Sequence, residues 1–312
     1  MTPQMPTTVH VIAGPTGAGK SALALRMASE VGGVIINADA LQIYAALPVL
    51  TAQPTPEDLA AAPHALYGVL DPAGPPCSAG HWREMALASI AWALAAGAVP
   101  IVVGGSGLYL KALMEGLAPI PDIPEAVRAC AAAERTRLGP EAFFAEVRRR
   151  DPTLAARLHA GHKARVLRAW EVHEATGRPL SVWQTEPPEG PPPHWHFAVT
   201  VLAPPRPELY ARCDARLLVM LEAGGWAEAA RFEADVAAGR LPEGPPSARA
   251  LGLAPLRAHI RGELGQPEAV ARAQADTRHY AKRQGTWLRT QLRPGPRIAL
   301  KKPPPGTPGG GL

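Results

Sequence analysis

An α/β fold with a largely parallel sheet, interrupted by an inserted helical segment, is predicted by three observations. A short apolar run, Val9–Ala13, ends in a glycine-rich loop and is followed by strong helix formers. Further apolar runs then alternate with helical stretches, the pattern of parallel strands joined by helical crossovers. Between Pro119 and about Pro193 the strand signal disappears, and Ala, Arg and Glu dominate.

Taken in order, Val9–Ala13 is the first strand and Ser21–Ala28 lies in the first helix. Val34–Asn37 is a second buried strand, and Leu66–Leu70 is expected to be a third. Glu84–Ala96 is helical, and Pro100–Val103 is a fourth strand ending at Gly104-Gly105. The inserted subdomain is expected at 119–195, with the proline-rich run Glu186–Pro193 as its exit. Phe197–Leu202 returns to the sheet, which divides the core into 1–118 and 196–300. Helices resume over Arg206–Gly239, and the Pro/Gly-rich end, 301–312, is expected to be disordered.

The chain has 312 residues, 47% of them hydrophobic, enough for a substantial core. Its three cysteines, Cys77, Cys130 and Cys213, match neither metal-ligand spacing nor a disulfide framework, so a reducing cytoplasm is expected. The N-terminus lacks a basic segment leading into an apolar one, so no signal peptide is expected. Apolar runs are too short or broken for a membrane helix. The formal charge is +5, but Arg249–Lys302 carries twelve Lys/Arg against three acids, and the rest of the chain is net negative. That local excess suits a phosphate-bearing partner.

Gly14-Pro15-Thr16-Gly17-Ala18-Gly19-Lys20-Ser21 fits G-x-x-x-x-G-K-[ST], set between a strand and a helix as the motif requires. Its glycines let backbone N–H groups turn toward phosphate oxygens, and the helix N-terminus adds positive potential. Lys20 is placed to reach terminal phosphates, and Ser21 to ligand Mg²⁺. A P-loop NTPase-like core follows, binding some di- or triphosphate. An ATPase would also carry an acid at the end of an apolar strand. Here Pro100–Val103 runs into Gly104-Gly105-Ser106, which speaks against ATP hydrolysis. Ser106 is either a turn residue bonding its own backbone or a ligand contact. Asp39, just beyond the second strand, would face the P-loop across the crevice at the strand ends. General base, metal ligand and helix N-cap are all open to it.

Near the C-terminus, Ala271–Arg293 reads as a long basic helix. At 100° per residue, Arg278, Lys282, Arg289 and Arg293 fall within about 60° of one another, with Tyr280 and Trp287 opposite. Such a stripe is either a solvated face or a phosphate-backbone contact. Lys163, Arg165 and Arg168 form a second basic cluster in the insert.

Over about Val9–Arg293 the chain resembles the bacterial tRNA dimethylallyltransferases. The markers are Gly14–Ser21, Asn37–Tyr44, Thr51–Pro54, Pro63-His64, Val102–Tyr109, Arg165–Val172, Thr176–Leu180 and Thr277–Arg289. The resemblance implies transfer of a dimethylallyl group from dimethylallyl diphosphate to N6 of adenine 37 in tRNA, with Mg²⁺ required. It implies that the P-loop holds the leaving diphosphate rather than ATP, and that Asp39 accepts the N6 proton. A threonine of the family matches Ser106, where this chain keeps the hydroxyl, so a catalytic role and a phosphate or adenosine contact are implied for it. Contacts to the tRNA anticodon stem-loop are implied for Asp39, Ala40, Leu41 and Gln42, for Ser106 and Arg128, and for Ala164, Arg165, Val166, Leu167 and Arg168. They are also implied for Arg249, Ala250, Leu251 and Gly252, and Arg278, Lys282 and Arg283 of the basic helix are expected to bind tRNA as well. The family usually has Gly-Tyr and then a basic residue where this chain has Gly252-Leu253-Ala254, which shifts tRNA binding toward Arg249 and that helix. A monomer is expected. The competing readings are a small-molecule P-loop kinase and a prenyltransferase acting on a free adenine nucleotide.

Overall fold

A computed structural model describes residues 6–292. The described chain forms two compact units, one from residues up to Met114 together with Pro192 onward, the other Glu115–Pro191.

The first unit begins with β1 (Thr7–Ala13), α1 (Lys20–Val31) and β2 (Gly33–Asn37). Then come α2 (Pro56–Ala61), β3 (His64–Ala65), α3 (Ala79–Ala95), β4 (Val99–Gly104) and α4 (Gly107–Glu115). The five-stranded sheet is wholly parallel, in the order β3-β2-β4-β1-β5, where β5 is Trp195–Val201. Its central strands are buried on both faces, so they read as continuous Val/Ile runs rather than alternating ones. Val9, Val11, Ile36 and Val102 pack toward Trp82 and Ile90 of α3 on one side. Ile12, Ile35, Ile101 and Val103 pack toward Ala24 and Ala28 of α1 on the other.

Local signals set the helix ends. α1 stops at Gly32, whose left-handed conformation returns its N–H to the Ala28 carbonyl. α2 opens with a capping box between Thr55 and Asp58, and Ser78 caps α3 by accepting the His81 N–H.

The third strand differs from expectation. Only His64–Ala65 pairs with β2, and Leu66–Leu70 is not a strand. Leu66 and Gly68 have φ of 65° and 59°, a conformation that turns the chain away from the ladder. The Gly68 and Leu70 N–H groups bond instead to Gln42 and Ile43 carbonyls.

The second unit is helical: α5 (Glu125–Leu138), α6 (Pro140–Arg150), α7 (Pro152–Ala155), α8 (Lys163–Thr176) and α9 (Leu180–Trp183). Phe143, Val147, Val166 and Trp170 form its core. Buried Asp151 ties α7 to α9, accepting the Leu154 and Ser181 N–H groups and the Ser181 hydroxyl.

After β5 the first unit resumes with α10 (Arg206–Met220), α11 (Trp226–Ala237), α12 (Leu253–Ile260) and α13 (Gln266–Gln291). One π-type turn, Leu221–Gly225, joins α10 to α11, and Gly224 breaks it with a φ of 110°. Arg293 of the expected basic stripe and the tail 301–312 lie outside the described residues.

Candidate active site

The glycine-rich loop leaves β1 at Ala13 and enters α1 at Lys20. Gly17 has a φ of 78°, and a side chain there would collide with the Cys213 sulfur at 2.9 Å, so both backbone and space demand glycine. Lys20 folds back so that its Nζ donates to the Pro15 carbonyl at 2.9 Å. Burial brings its pKa down to about 8, with the nearby Arg216 charge adding to the effect and Asp39 opposing it.

A crevice lies beside this loop at the carboxyl ends of the strands, where ligands of open α/β sheets bind. Its polar side is formed by Thr16, Gly17, Asp39 and Arg216, and its apolar side by Leu50, Leu217, Met220 and Leu251. Thr51, Thr277 and Tyr280 also line it. Asp39 follows β2 in a tight turn. Its N–H donates to Asn37 Oδ1 at 2.8 Å, and its own Oδ1 accepts the Leu41 N–H at 2.9 Å. No helix follows within hydrogen-bonding reach of Asp39, so it is not a helix N-cap, and its carboxylate is presented to the crevice.

Ser106 acts on this turn. Its Oγ accepts the Ala40 N–H at 3.0 Å, and its N–H donates to the Ala38 carbonyl at 3.2 Å. Ser106 thus braces the Asp39 loop with one lone pair of its hydroxyl, which also lies within hydrogen-bonding reach of Tyr280. Gln42 is likewise engaged: its amide donates to the Thr51 and Ala52 carbonyls at 2.9 and 2.6 Å.

Three contributors come from helices far along the chain, two of them, Tyr280 and Gln284, from Thr277–Arg289. Arg216 of α10 places Nη1 3.5 Å from the Thr16 hydroxyl, and burial lowers its pKa. On α10, Leu209, Cys213 and Leu217 are buried, and Arg216 lies on their face at helical spacing. A cation on an otherwise apolar stripe is the signal that could have found it. Gln284 of α13 is 6% exposed; its Oε1 accepts the Thr16 N–H at 2.9 Å and its Nε2 donates to the Gly105 carbonyl at 3.0 Å. A side chain on Gly105 would lie 2.3 Å from that nitrogen, so the missing strand-end acid is replaced by a glycine that admits α13. Tyr280, one turn earlier, reaches the crevice. Burial pushes its hydroxyl up to about 12, the Asp39 charge adds to this, and Arg283, Ser106 and Gln284 oppose it.

The basic stripe of α13 is partly spoken for. Arg278 is ion-paired to Asp214 of α10 at 2.6 Å. Arg283 stacks over Tyr280 at 5.6 Å. Lys282 and Arg289 are exposed. Arg249 is exposed, whereas Ala250 and Gly252 are buried and Leu251 turns into the crevice. Leu253, where the family has an aromatic, is fully buried with Leu256 and Ala273.

In the helical unit, Ala164 and Arg165 are exposed, and Arg168 lies 3.9 Å from Glu171. Arg128 lies 3.8 Å from Glu125. Val166 is fully buried, and Leu167 is half-buried against the same core. The amphipathic face of α8 turns them inward.

Among the described residues no cluster of His, Cys, Asp or Glu could hold a metal by itself. Ser21, exposed in the first turn of α1, fits Mg²⁺ of the kind that takes few protein oxygens and completes its shell with phosphate and water. No helix of the described residues is long and apolar enough to cross a membrane.

Fold and crevice together define a P-loop-type α/β protein in which the glycine-rich loop, an acid and several apolar side chains line one crevice. The IPP transferase family model matches residues 42–291, and the isopentenyl transferase model matches residues 7–66. The chain is 53% identical over 290 residues to a tRNA dimethylallyltransferase of Rhodospirillum centenum, covering 92% of this chain and 91% of that one. It is 51% identical to that of Paramagnetospirillum magneticum, covering 92% and 89%. Among solved structures, a eukaryotic dimethylallyltransferase acting on tRNA superposes with a TM-score of 0.75 at 25% identity, covering 90% of this chain and 70% of that one. A tRNA isopentenylpyrophosphate transferase of Staphylococcus epidermidis gives 0.62 at 28%, covering 92% and 91%. The chain belongs to the IPP transferase family.

Proposed function

We propose that this chain is a tRNA dimethylallyltransferase: it moves the dimethylallyl group of dimethylallyl diphosphate to N6 of adenine 37 in tRNA and releases diphosphate. The observation that carries this reading is one crevice lined by the P-loop residues Thr16 and Gly17, by Arg216 and Asp39, and by the apolar side chains of Leu50, Leu217, Met220 and Leu251.

In the reaction the bond between the allylic carbon and the diphosphate oxygen breaks, and the electron pair leaves with the diphosphate. The P-loop amides, Lys20 and Arg216 stabilise that developing charge in place, without reorganisation. Ser21 would hold Mg²⁺, which neutralises charge on the diphosphate. An adenine flipped out of its stack presents N6. As N6 bonds to the carbon, Asp39 Oδ2 takes its proton, Oδ1 being fixed by the Leu41 N–H. Ser106 and Gln42 keep this turn in register. Because the exocyclic amine is a weak nucleophile, orientation contributes more than basicity. Lys282, Arg289 and Arg249 supply exposed cations for the anticodon stem-loop, with Arg165 doing so in the helical unit. The enzyme works as a cytoplasmic monomer.

The test offers the protein dimethylallyl diphosphate and Mg²⁺ with an anticodon stem-loop carrying adenines at 36–38, or with free AMP. A mass gain of one dimethylallyl group on the stem-loop alone is expected. A gain on AMP instead, or on neither, contradicts the reading.

A further inference from the structure

The apolar side of the crevice is graded in depth. Met220 and Leu251 are partly exposed, whereas Leu50 and Leu217 are 5% and 4% exposed and are its most buried leucines. Behind Leu50 lies the backbone of the π-type turn: a β-carbon on Gly225 would stand 2.9 Å from Leu50 Cδ2. Leu50 thus fills the space between the recess and Gly225.

Leu50 sits on a loop bent in two unusual places. Leu47 and Ala52 both have φ of 53°, a left-handed conformation that is unfavourable for an L-residue and persists only where surroundings over-determine it. Here they do. Glu228 of α11, itself 5% exposed, accepts the Val49 N–H on Oε1 at 2.8 Å and the Leu50 N–H on Oε2 at 2.9 Å. Gln42 holds the Thr51 and Ala52 carbonyls, and the Thr51 hydroxyl donates to the Leu47 carbonyl at 2.8 Å. A buried carboxylate is costly unless fully bonded; this one is devoted to two backbone groups of a single loop, one of them that of Leu50.

We propose that Leu50 is the end stop that limits the transferred group to five carbons, and that Glu228 is the positioning residue that keeps it there. The inference rests on the crevice taking an allylic diphosphate. Bond making and breaking are those given above and are the same for a longer donor, since the reacting carbon and the diphosphate are unchanged. Only the far end of the chain differs, and it meets Leu50. A pocket discriminates by about 10- to 200-fold per misfitting carbon, so a ten-carbon donor is rejected by the parent.

The experiment presents equimolar dimethylallyl and geranyl diphosphates with Mg²⁺ and the anticodon stem-loop, and reads the ratio of ten-carbon to five-carbon adducts by mass. The parent makes the five-carbon adduct almost alone. Leu50→Ala raises the ratio at least about tenfold, Leu50→Val raises it less, and Glu228→Gln, which loses one acceptor, falls between Leu50→Val and the parent. Unfolding midpoints are recorded for each variant, and Leu50→Val decides if Leu50→Ala does not fold. A purely structural role lowers both adducts together and leaves the ratio fixed. An unchanged ratio in a folded Leu50 variant overturns the proposal, as does a parent that accepts both donors equally. A parent that transfers neither contradicts the functional reading itself.

Discussion

The two sides of the crevice are built in opposite ways. The polar side draws on the P-loop and the Asp39 turn, each a short contiguous motif, with Arg216 added from α10. Apart from Leu41 in the Asp39 turn, the apolar lining takes Leu50, Leu217, Met220 and Leu251 from three separate segments. The polar side must aim dipoles and charges, so particular residue types are needed at particular places. The apolar side must only exclude volume, which many sequences can do. Charge chemistry is therefore written locally, and shape is written in the tertiary fold.

If that contrast holds, removing polar-side groups costs rate, and altering the apolar side changes the choice of donor. The largest loss is expected for Asp39→Ala: turnover falls by roughly 10²–10⁴, the range of general acid–base catalysis, while stem-loop affinity measured by filter binding stays near the parent's. Turnover within a few-fold of the parent removes Asp39 from the mechanism. Arg216→Ala comes next, with kcat lower by about 10²–10³, as for loss of one preorganised donor. Single-turnover rates at saturating stem-loop check it.

A titration tests Lys20. With its pKa at about 8, the ligand-free protein loses that ammonium as pH rises through about 8, so calorimetric affinity for inorganic diphosphate falls by up to about tenfold per unit above it. The sign for stability is opposite. Between about 8 and the ordinary lysine value the unfolded chain binds the extra proton, so this group makes unfolding less favourable as pH rises across that window.

Gln284→Met keeps the volume but leaves the Thr16 N–H and the Gly105 carbonyl unpaired. Denaturant unfolding should show a loss of about 1–3 kcal/mol, the cost of orphaned buried groups. The smallest effects belong to α13. Lys282→Ala and Arg289→Ala should each reduce the salt slope of stem-loop binding by about one. Arg278→Ala should change it less, because Asp214 already neutralises that guanidinium.

Much of this was legible in the sequence. The P-loop, β1, β2, β4 and the long C-terminal helix follow from spacing and periodicity alone, and the absent strand-end acid pointed away from ATP hydrolysis. Leu66–Leu70 misled because its residues favour a strand while Leu66 sits in the left-handed region, which tertiary bonds to Gln42 and Ile43 impose. The basic stripe was right in phase, yet helical angles cannot reveal that Asp214, 64 residues away, would claim Arg278. The motif around Arg165–Val172 does not reveal that helical phase turns Val166 into the core. Gln284 and Arg216 are single polar residues on apolar faces, and only the partners brought by the fold give them meaning.

The central claim is that the P-loop grips a leaving diphosphate and not ATP. The most direct measurement incubates the protein with dimethylallyl diphosphate, Mg²⁺ and the stem-loop in the absence of ATP, and quantifies diphosphate released and dimethylallyl adenosine formed. The account predicts equal amounts of the two, with no phosphate liberated from ATP when ATP is then added. Dependence on ATP, or ATP cleavage coupled to the acceptor, would contradict it.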